Sequence, residues 1–228
     1  MFFIYSDNLK HGKIMLGVLT LIILQAFFYL YGIAVDRTNI SEDVVFEFVP
    51  MLFSLKPFVY SYTLVTATFL HLNLMHLFGN LMFFLAFART LERLFGTLIF
   101  MSAYIFIGAL AFIGSWLLNP DSVIPIVGSS GAISFLMGVY FVIFPHSKLR
   151  LIFTIPPFFK RFWVPAYVYL VFWILLQLYD IFTSTEASSG VAYATHALGF
   201  LIGMTCGMTW KELGSDTESK IEKLREST

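Results

Sequence analysis

Long apolar runs separated by short polar connections dominate this chain, and their lengths carry more information than any amphipathic stripe. The first run, Ile14 to Ala34, is long enough as a helix to cross a hydrocarbon layer of about 30 Å. It exceeds the apolar core of a secretion signal and no small-x-small cleavage site follows, so a retained span is predicted. Five further segments run roughly from His71 to Leu94, Leu98 to Leu118, Ser130 to Phe144, Trp163 to Phe182 and Val191 to Trp210. Unpaired backbone groups are not tolerated in lipid, so apolar runs of this length must be helices. The fourth is short and rich in small residues, as expected of a segment enclosed by its neighbours.

The connections set the orientation. With the N-terminus inside, Lys10, Lys13, Arg89, Arg93, Lys148, Arg150, Lys160, Arg161, Lys211, Lys220, Lys223 and Arg225 fall on the cytoplasmic side, against Arg37 and Lys56 outside. The predicted organisation is a cytoplasmic N-terminal segment, 1–13, a six-helix membrane domain, 14–210, and a polar cytoplasmic tail, 211–228, that is mobile or weakly helical. The outer connection, 35–70, contains VVFEFVPMLF and FVYSYTLV and is too apolar for an ordinary loop. It is expected to lie against the outer leaflet and pack on the helices.

Composition agrees with this layout. Hydrophobic residues make up 58% of the 228, charged residues only 12%, and the formal net charge is zero. A soluble domain carries roughly a quarter charged residues, so an integral, multi-pass membrane protein is expected. The expected location is the cytoplasmic membrane of a prokaryote, with both termini in the cytoplasm as the cation count requires. Nothing basic enough for nucleic acid is present, and Cys206, alone, has no disulfide partner.

Polar side chains inside a bilayer are expensive, which makes the few present the best pointers to chemistry. They form three groups. In HLNLMHLFGN, His76 and Asn80 stand one helical turn apart on a common face, either joining neighbouring helices or facing a shared cavity. In GSSGAISFLMG, Ser130 and Ser134 are also one turn apart, beside Gly131 and Gly138, a pattern that on its own suits a packing seam as well as a reaction centre. In ATHALGFLIG, His196 precedes a small-residue face of Gly199, Gly203 and Gly207.

Combined, the groups suggest more. Two glycine-lined helices pack closely, and this would bring Ser130 and His196 together at similar depth in the outer half of the bilayer. A serine hydroxyl attacks a carbonyl only when a base takes its proton, and neutral imidazole is suited to that near pH 7. His196 is the candidate base. His76, Asn80 and the backbone N–H of Ser130 are candidate donors to the oxyanion that follows.

These residues resemble those of the rhomboid family of intramembrane serine proteases. The likeness covers nearly the whole chain: His71, His76 and Asn80 as H-x4-H-x3-N, Glu92 and Gly96 as E-x3-G, Gly128, Ser130 and Gly131 as G-x-S-G, and His196 with Gly199 in the sixth span. The resemblance implies a six-transmembrane-helix bundle, all α, with Ser130 as nucleophile, His196 as general base, and His76 and Asn80 stabilising the oxyanion. Gly128, Gly131, Glu92, Gly96, Gly199 and Gly203 are implied to be structural. Ser129 holds the variable position of its motif and is rejected as nucleophile. The outer connection lacks a Trp-Arg pair found in some relatives, and Ser134 replaces a Tyr that stacks on the histidine, a role Tyr193 is placed to take over.

The expected activity is endoproteolysis of the transmembrane segments of single-span or multi-span membrane proteins, without cofactor or metal. The alternative is an inactive rhomboid-like protein that holds membrane clients in the same groove. H-E-x-x-H is absent, and Asp180, at an outer helix end, is the sole Asp near a span interior, so metallo- and aspartyl-protease chemistries are set aside.

Overall fold

A computed structural model describes residues 2–9, 15–34, 45–155, 158–183, 193–213 and 217–225. Lys10, Lys13, Ile14, Arg37, most of the first half of the outer connection, and Val191 lie outside the described residues. The elements in chain order are β1 (Phe2–Asp7), α1 (Leu16–Ala34), α2 (Pro50–Leu55), α3 (Pro57–Tyr60), α4 (Thr63–Phe69), α5 (Leu74–Phe95) and α6 (Thr97–Leu118). They continue with α7 (Ser130–Ile143), β2 (Lys148–Ile155), β3 (Phe158–Pro165), α8 (Ala166–Thr183), α9 (Tyr193–Leu213) and α10 (Thr217–Arg225).

Among the described residues four helices, α1, α5, α6 and α8, are long and apolar enough to cross a membrane. They turn some large apolar side chains outward, as Phe106, Phe172 and Phe182 do, and bury others, Phe84, Phe87, Phe100 and Tyr104 among them, in a shared core. Helix α7 is shorter, 14 residues or about 21 Å. It sits in the centre, with every residue from Gly131 to Tyr140 buried.

The most extensive helix contact is between α7 and α9. A Cβ at Gly138 would collide with the backbone oxygen of Phe200, one at Gly203 with that of Phe135, and one at Gly199 with that of Gly131. Glycine therefore occupies these positions because backbone touches backbone. Dispersion between atoms at contact distance is what holds helices together where lipid supplies no hydrophobic drive.

At the opposite end of α5, the buried Glu92 carboxylate accepts from the backbone N–H of Gly17 and of Val18, both at 2.7 Å, and from the Thr97 hydroxyl at 2.6 Å. First-turn amides of a helix have no intrahelical acceptor, and the positive end of the α1 dipole favours an anion there. Glu92 thus ties α1, α5 and α6. Gly96, at φ +83°, makes the α5–α6 turn that allows this.

Three features differ from the sequence expectations. First, the N-terminal segment and the α7–α8 connection pair into an antiparallel sheet of order β1-β2-β3, with Phe3 opposite Ile152 and Leu151 opposite Phe162. The bundle is therefore mostly helical rather than all α. LRLIFTI and FFKRFWVP are rich in β-branched and aromatic residues, and Ile4, Leu149 and Leu151 bury one face on the helices. Second, Trp163 to Pro165, expected to open the fifth span, instead end β3, and α8 starts after the proline. Third, the tail is not free: α10 buries Ile221 and Leu224 against the helical core.

Asp7 fastens the sheet to the bundle. Its Oδ2 accepts from the Thr90 hydroxyl at 2.6 Å and the Tyr140 hydroxyl at 2.7 Å, joining β1 to α5 and α7. The described part of the outer connection, from Val45, packs on α6. Phe48 bridges Ile126 through two backbone hydrogen bonds and packs its ring at a tilt against Phe53 and Phe112, while Phe53 meets Trp116 edge-on.

Two predictions follow from these contacts. Gly203→Leu should separate α7 from α9 and cost about 3 kcal/mol or more, read as a fall in the unfolding midpoint of the purified protein. Gly79→Ala, at a glycine with open space around it, should be neutral or slightly stabilising. Equal losses in the two variants would remove the close-contact explanation. Glu92→Ala should cost about 3 kcal/mol by orphaning three donors, and Glu92→Gln less, by the same measurement.

Candidate active site

The loop before α7 is shaped by Gly128, whose φ of +116° suits a residue without a Cβ. Its N–H donates to Ala67 O at 2.9 Å, tying the loop to the end of α4. The turn sends Ser129 inward, where it is fully buried and its hydroxyl donates to Gln25 Oε1 on α1 at 2.9 Å. Ser130 then opens α7. It is half-buried and lines a small pocket together with His76, Gly128, Gly131, Thr195 and Phe112. The cavity is about 10 Å³, close to the space one water needs. The backbone N–H groups at the start of α7 have no acceptor within their own helix, so they are donors at the edge of this pocket.

His76 and Asn80 reach the same place from α5. Asn73 caps that helix, its side-chain oxygen accepting from the His76 N–H at 2.8 Å. A Cβ on Gly128 would lie 2.9 Å from His76 Cε1 and 3.4 Å from Asn80 Nδ2, so both side chains border the turn just ahead of Ser130. His76 Nδ1 and Asn80 Nδ2 are buried and have no hydrogen-bond partner. A buried donor or acceptor left unpaired is costly, and such atoms concentrate where a ligand or reacting group completes the set. His71 lies before α5, its ring edge-on to His76 at 5.2 Å and its Nδ1 3.2 Å from Phe69 O. Burial, reinforced by the neighbouring His76, brings the His71 imidazole down to about 4. It is therefore neutral at pH 7.

His196 lies in the first turn of α9. Its Nδ1 is 2.6 Å from Gln177 Oε1 on α8, and its ring is flanked by Trp173 at 6.1 Å and Tyr193 at 6.3 Å. Nε2 is buried and has no partner, as is the hydroxyl of the adjacent Thr195. The glycine seam brings the heads of α7 and α9 side by side: Gly199 abuts the Gly131 carbonyl, and the Thr195 methyl faces Gly131. Ser130 Oγ and His196 Nε2 are not hydrogen-bonded to each other in this arrangement. Such pairs are often long without substrate and close when it binds.

The remaining sequence-selected residues fall elsewhere. Glu92 and Gly96 sit at the far end of α5, where they join helices. Gly199 and Gly203 belong to the seam. Ser134 donates to Ser130 O at 2.7 Å, back along its own helix, and Tyr193 contributes a ring contact to His196. Among the described residues, no group of three His, Cys, Asp or Glu side chains is placed to hold a metal.

Two participants escaped the sequence reading. Gln25 and Gln177 are the only glutamines of the chain, each isolated in an apolar span; Gln25 holds Ser129 behind the Gly128 turn, and Gln177 touches His196. An uncharged amide among leucines reads as a tolerated polar residue. Its rarity was the signal that it had a purpose.

Comparison with known proteins places these features in context. Over 134 residues the chain is 30% identical to Rhomboid-like protein 11, chloroplastic, of Arabidopsis thaliana, a stretch covering 59% of this chain and 44% of that protein. The match thus spans less than half the length of this relative, and a plant plastid protein lends no support to a prokaryotic setting. The Rhomboid domain family matches residues 60–212, from the outer connection to the end of α9 and across every residue of the pocket. With more than half of its length matched, this chain belongs to the rhomboid family.

Proposed function

We propose that the protein is an intramembrane serine endopeptidase of six membrane-spanning helices, α1, α5, α6, α7, α8 and α9, which cuts transmembrane segments of other membrane proteins near their outer ends. The observation that carries this reading is the juxtaposition of α7 and α9 at their heads. It sets Ser130 on the pocket wall, with His196 in the first turn of the adjoining helix and His76 and Asn80 across the Gly128 turn.

In the proposed reaction, the Ser130 hydroxyl gives its proton to His196 Nε2 while Oγ forms a bond to the scissile carbonyl carbon. The carbonyl oxygen becomes an oxyanion. His76, Asn80 Nδ2 and the backbone N–H of Ser130 donate to it, each worth about 3–4 kcal/mol. The C–N bond then breaks as His196 returns the proton to the leaving amine. Water attacks the acyl-serine, its proton passing to His196 and on to Ser130 Oγ as the acid is released.

The substrate has to enter from the side. Helix α8 suits an entrance, because it buries only Ala166, Leu170 and Gln177 and meets α5 through the Phe83–Tyr169 ring pair at 6.4 Å. A scissile peptide inside a helix is hydrogen-bonded and covered, so glycine or another helix-weakening residue near the cut should favour cleavage. Both termini share one side of the membrane, as the even number of spans requires, and the lysine and arginine excess makes that side cytoplasmic.

Ser130→Ala should insert and fold normally yet lose all cleavage of a labelled single-span substrate in liposomes; retained cleavage would take Ser130 out of the mechanism. Wild type should react with a fluorophosphonate and His196→Ala should not. A wild type inert to both probe and substrates would favour a client-binding rhomboid-like protein. His76→Ala and Asn80→Ala should each lower kcat by roughly 10²-fold to 10³-fold with KM little changed, measured on the same substrate.

A further inference from the structure

Helix α8 faces outward along most of its length, and within its apolar sequence AYVYLVFWILLQLYDIFT the amide of Gln177 is turned inward and buried. Burying an amide in such a place is unfavourable unless it is hydrogen-bonded. Its Oε1 meets His196 Nδ1 at 2.6 Å. Trp173, one turn earlier on the same face of α8, lies against the same imidazole.

An amide oxygen only accepts, so with Oε1 facing the ring the hydrogen between these two atoms is on Nδ1. A neutral imidazole has one N–H. Placing it on Nδ1 leaves the lone pair on Nε2, the nitrogen that has no protein partner. We propose that Gln177 is a positioning residue that holds His196 in the Nδ1–H tautomer with Nε2 free to accept a proton, the place an acid occupies in a Ser-His-Asp triad. This rests on the Ser130–His196 reading above. It differs from a triad in one physical respect: the amide is uncharged and supplies orientation without the electrostatic support a carboxylate gives the imidazolium.

Replacing Gln by a carboxylate should therefore raise the affinity of His196 for its proton, and replacing it by a hydrocarbon should release the ring. The other titratable groups facing the imidazole are His76 from α5 and Tyr193 from α9 itself. A shift produced only by changes at position 177 is thus separable from theirs by repeating the profile in His76→Ala and in Tyr193→Phe.

The test uses the full chain in liposomes with a labelled single-span substrate. Gln177→Leu should lower kcat by roughly 10-fold to 100-fold, as loss of an orienting partner does for ligating histidines, with KM within about 2-fold of wild type. Gln177→Glu should recover most of that loss, and the acidic limb of its kcat profile should move to higher pH. Wild-type kcat in Gln177→Leu, or a Gln177→Glu as impaired as Gln177→Leu, would overturn the assignment. If either variant folds poorly, ¹⁵N-histidine NMR of the Ser130→Ala protein with native Gln177 decides: a hydrogen on Nδ1 of His196 is expected, and one on Nε2 would refute it. Cleavage surviving in Ser130→Ala would instead defeat the dyad reading, whereas a dead Ser130→Ala beside a fully active Gln177→Leu would defeat only the role of Gln177.

Discussion

Backbone contact between α7 and α9 is the constraint from which the rest of this structure follows. In water, two apolar helices are driven together by expulsion of solvent; in lipid they are not, and association depends on how closely atoms approach. Gly131, Gly138, Gly199 and Gly203 remove the side chains that would hold the helices apart. Because the seam runs along both helices, it fixes rotation and depth together as well as distance. Ser130 and His196, each in the first turn of its helix, inherit that alignment.

Around this seam, buried polar groups are used as fasteners, each with its partners supplied. Glu92 gathers amides from α1 and a hydroxyl from α6; Asp7 gathers hydroxyls from α5 and α7; Ser129 closes on Gln25. In a medium without water such bonds have no competing solvent, and their loss would leave an orphan rather than a hydrated group. The pocket is the contrast. There His76 Nδ1, Asn80 Nδ2, Thr195 Oγ1 and His196 Nε2 are all buried without partners. Among the described residues Arg89 Nε, Tyr104 Oη and Trp210 Nε1 are also buried without a partner, but the four at the pocket lie around the Gly128 turn and the heads of α7 and α9.

Helix α8 stands apart from this rigidity. It buries few residues, and one of them, Gln177, reaches the imidazole. A helix that buries few of its residues is thus the one whose amide meets His196.

Much of this was legible in the linear sequence. Helix ends matched the apolar runs to within about three residues, because the length of an uninterrupted apolar run is decided by the thickness of hydrocarbon it must cross, which is a local property. Ser130, His76, Asn80 and His196 stood out for a related reason: polar atoms in lipid are rare and must be explained. The sheet did not stand out. LRLIFTI and FFKRFWVP lie between spans and carry cations, which reads as a connection, and only pairing with the distant Phe2–Asp7 makes them strands. Gln177 was missed likewise, since its meaning depends on an imidazole 19 residues away in another helix. The sequence alone therefore determined which segments are long, apolar and helical and which polar side chains are out of place in them, through length, polarity and turn-by-turn spacing. Tertiary structure alone decided who meets whom: that Ser129 faces α1 while Ser130 faces the pocket, and that an amide on α8 meets the histidine, because contacts between elements depend on helix rotation and depth that no local pattern encodes.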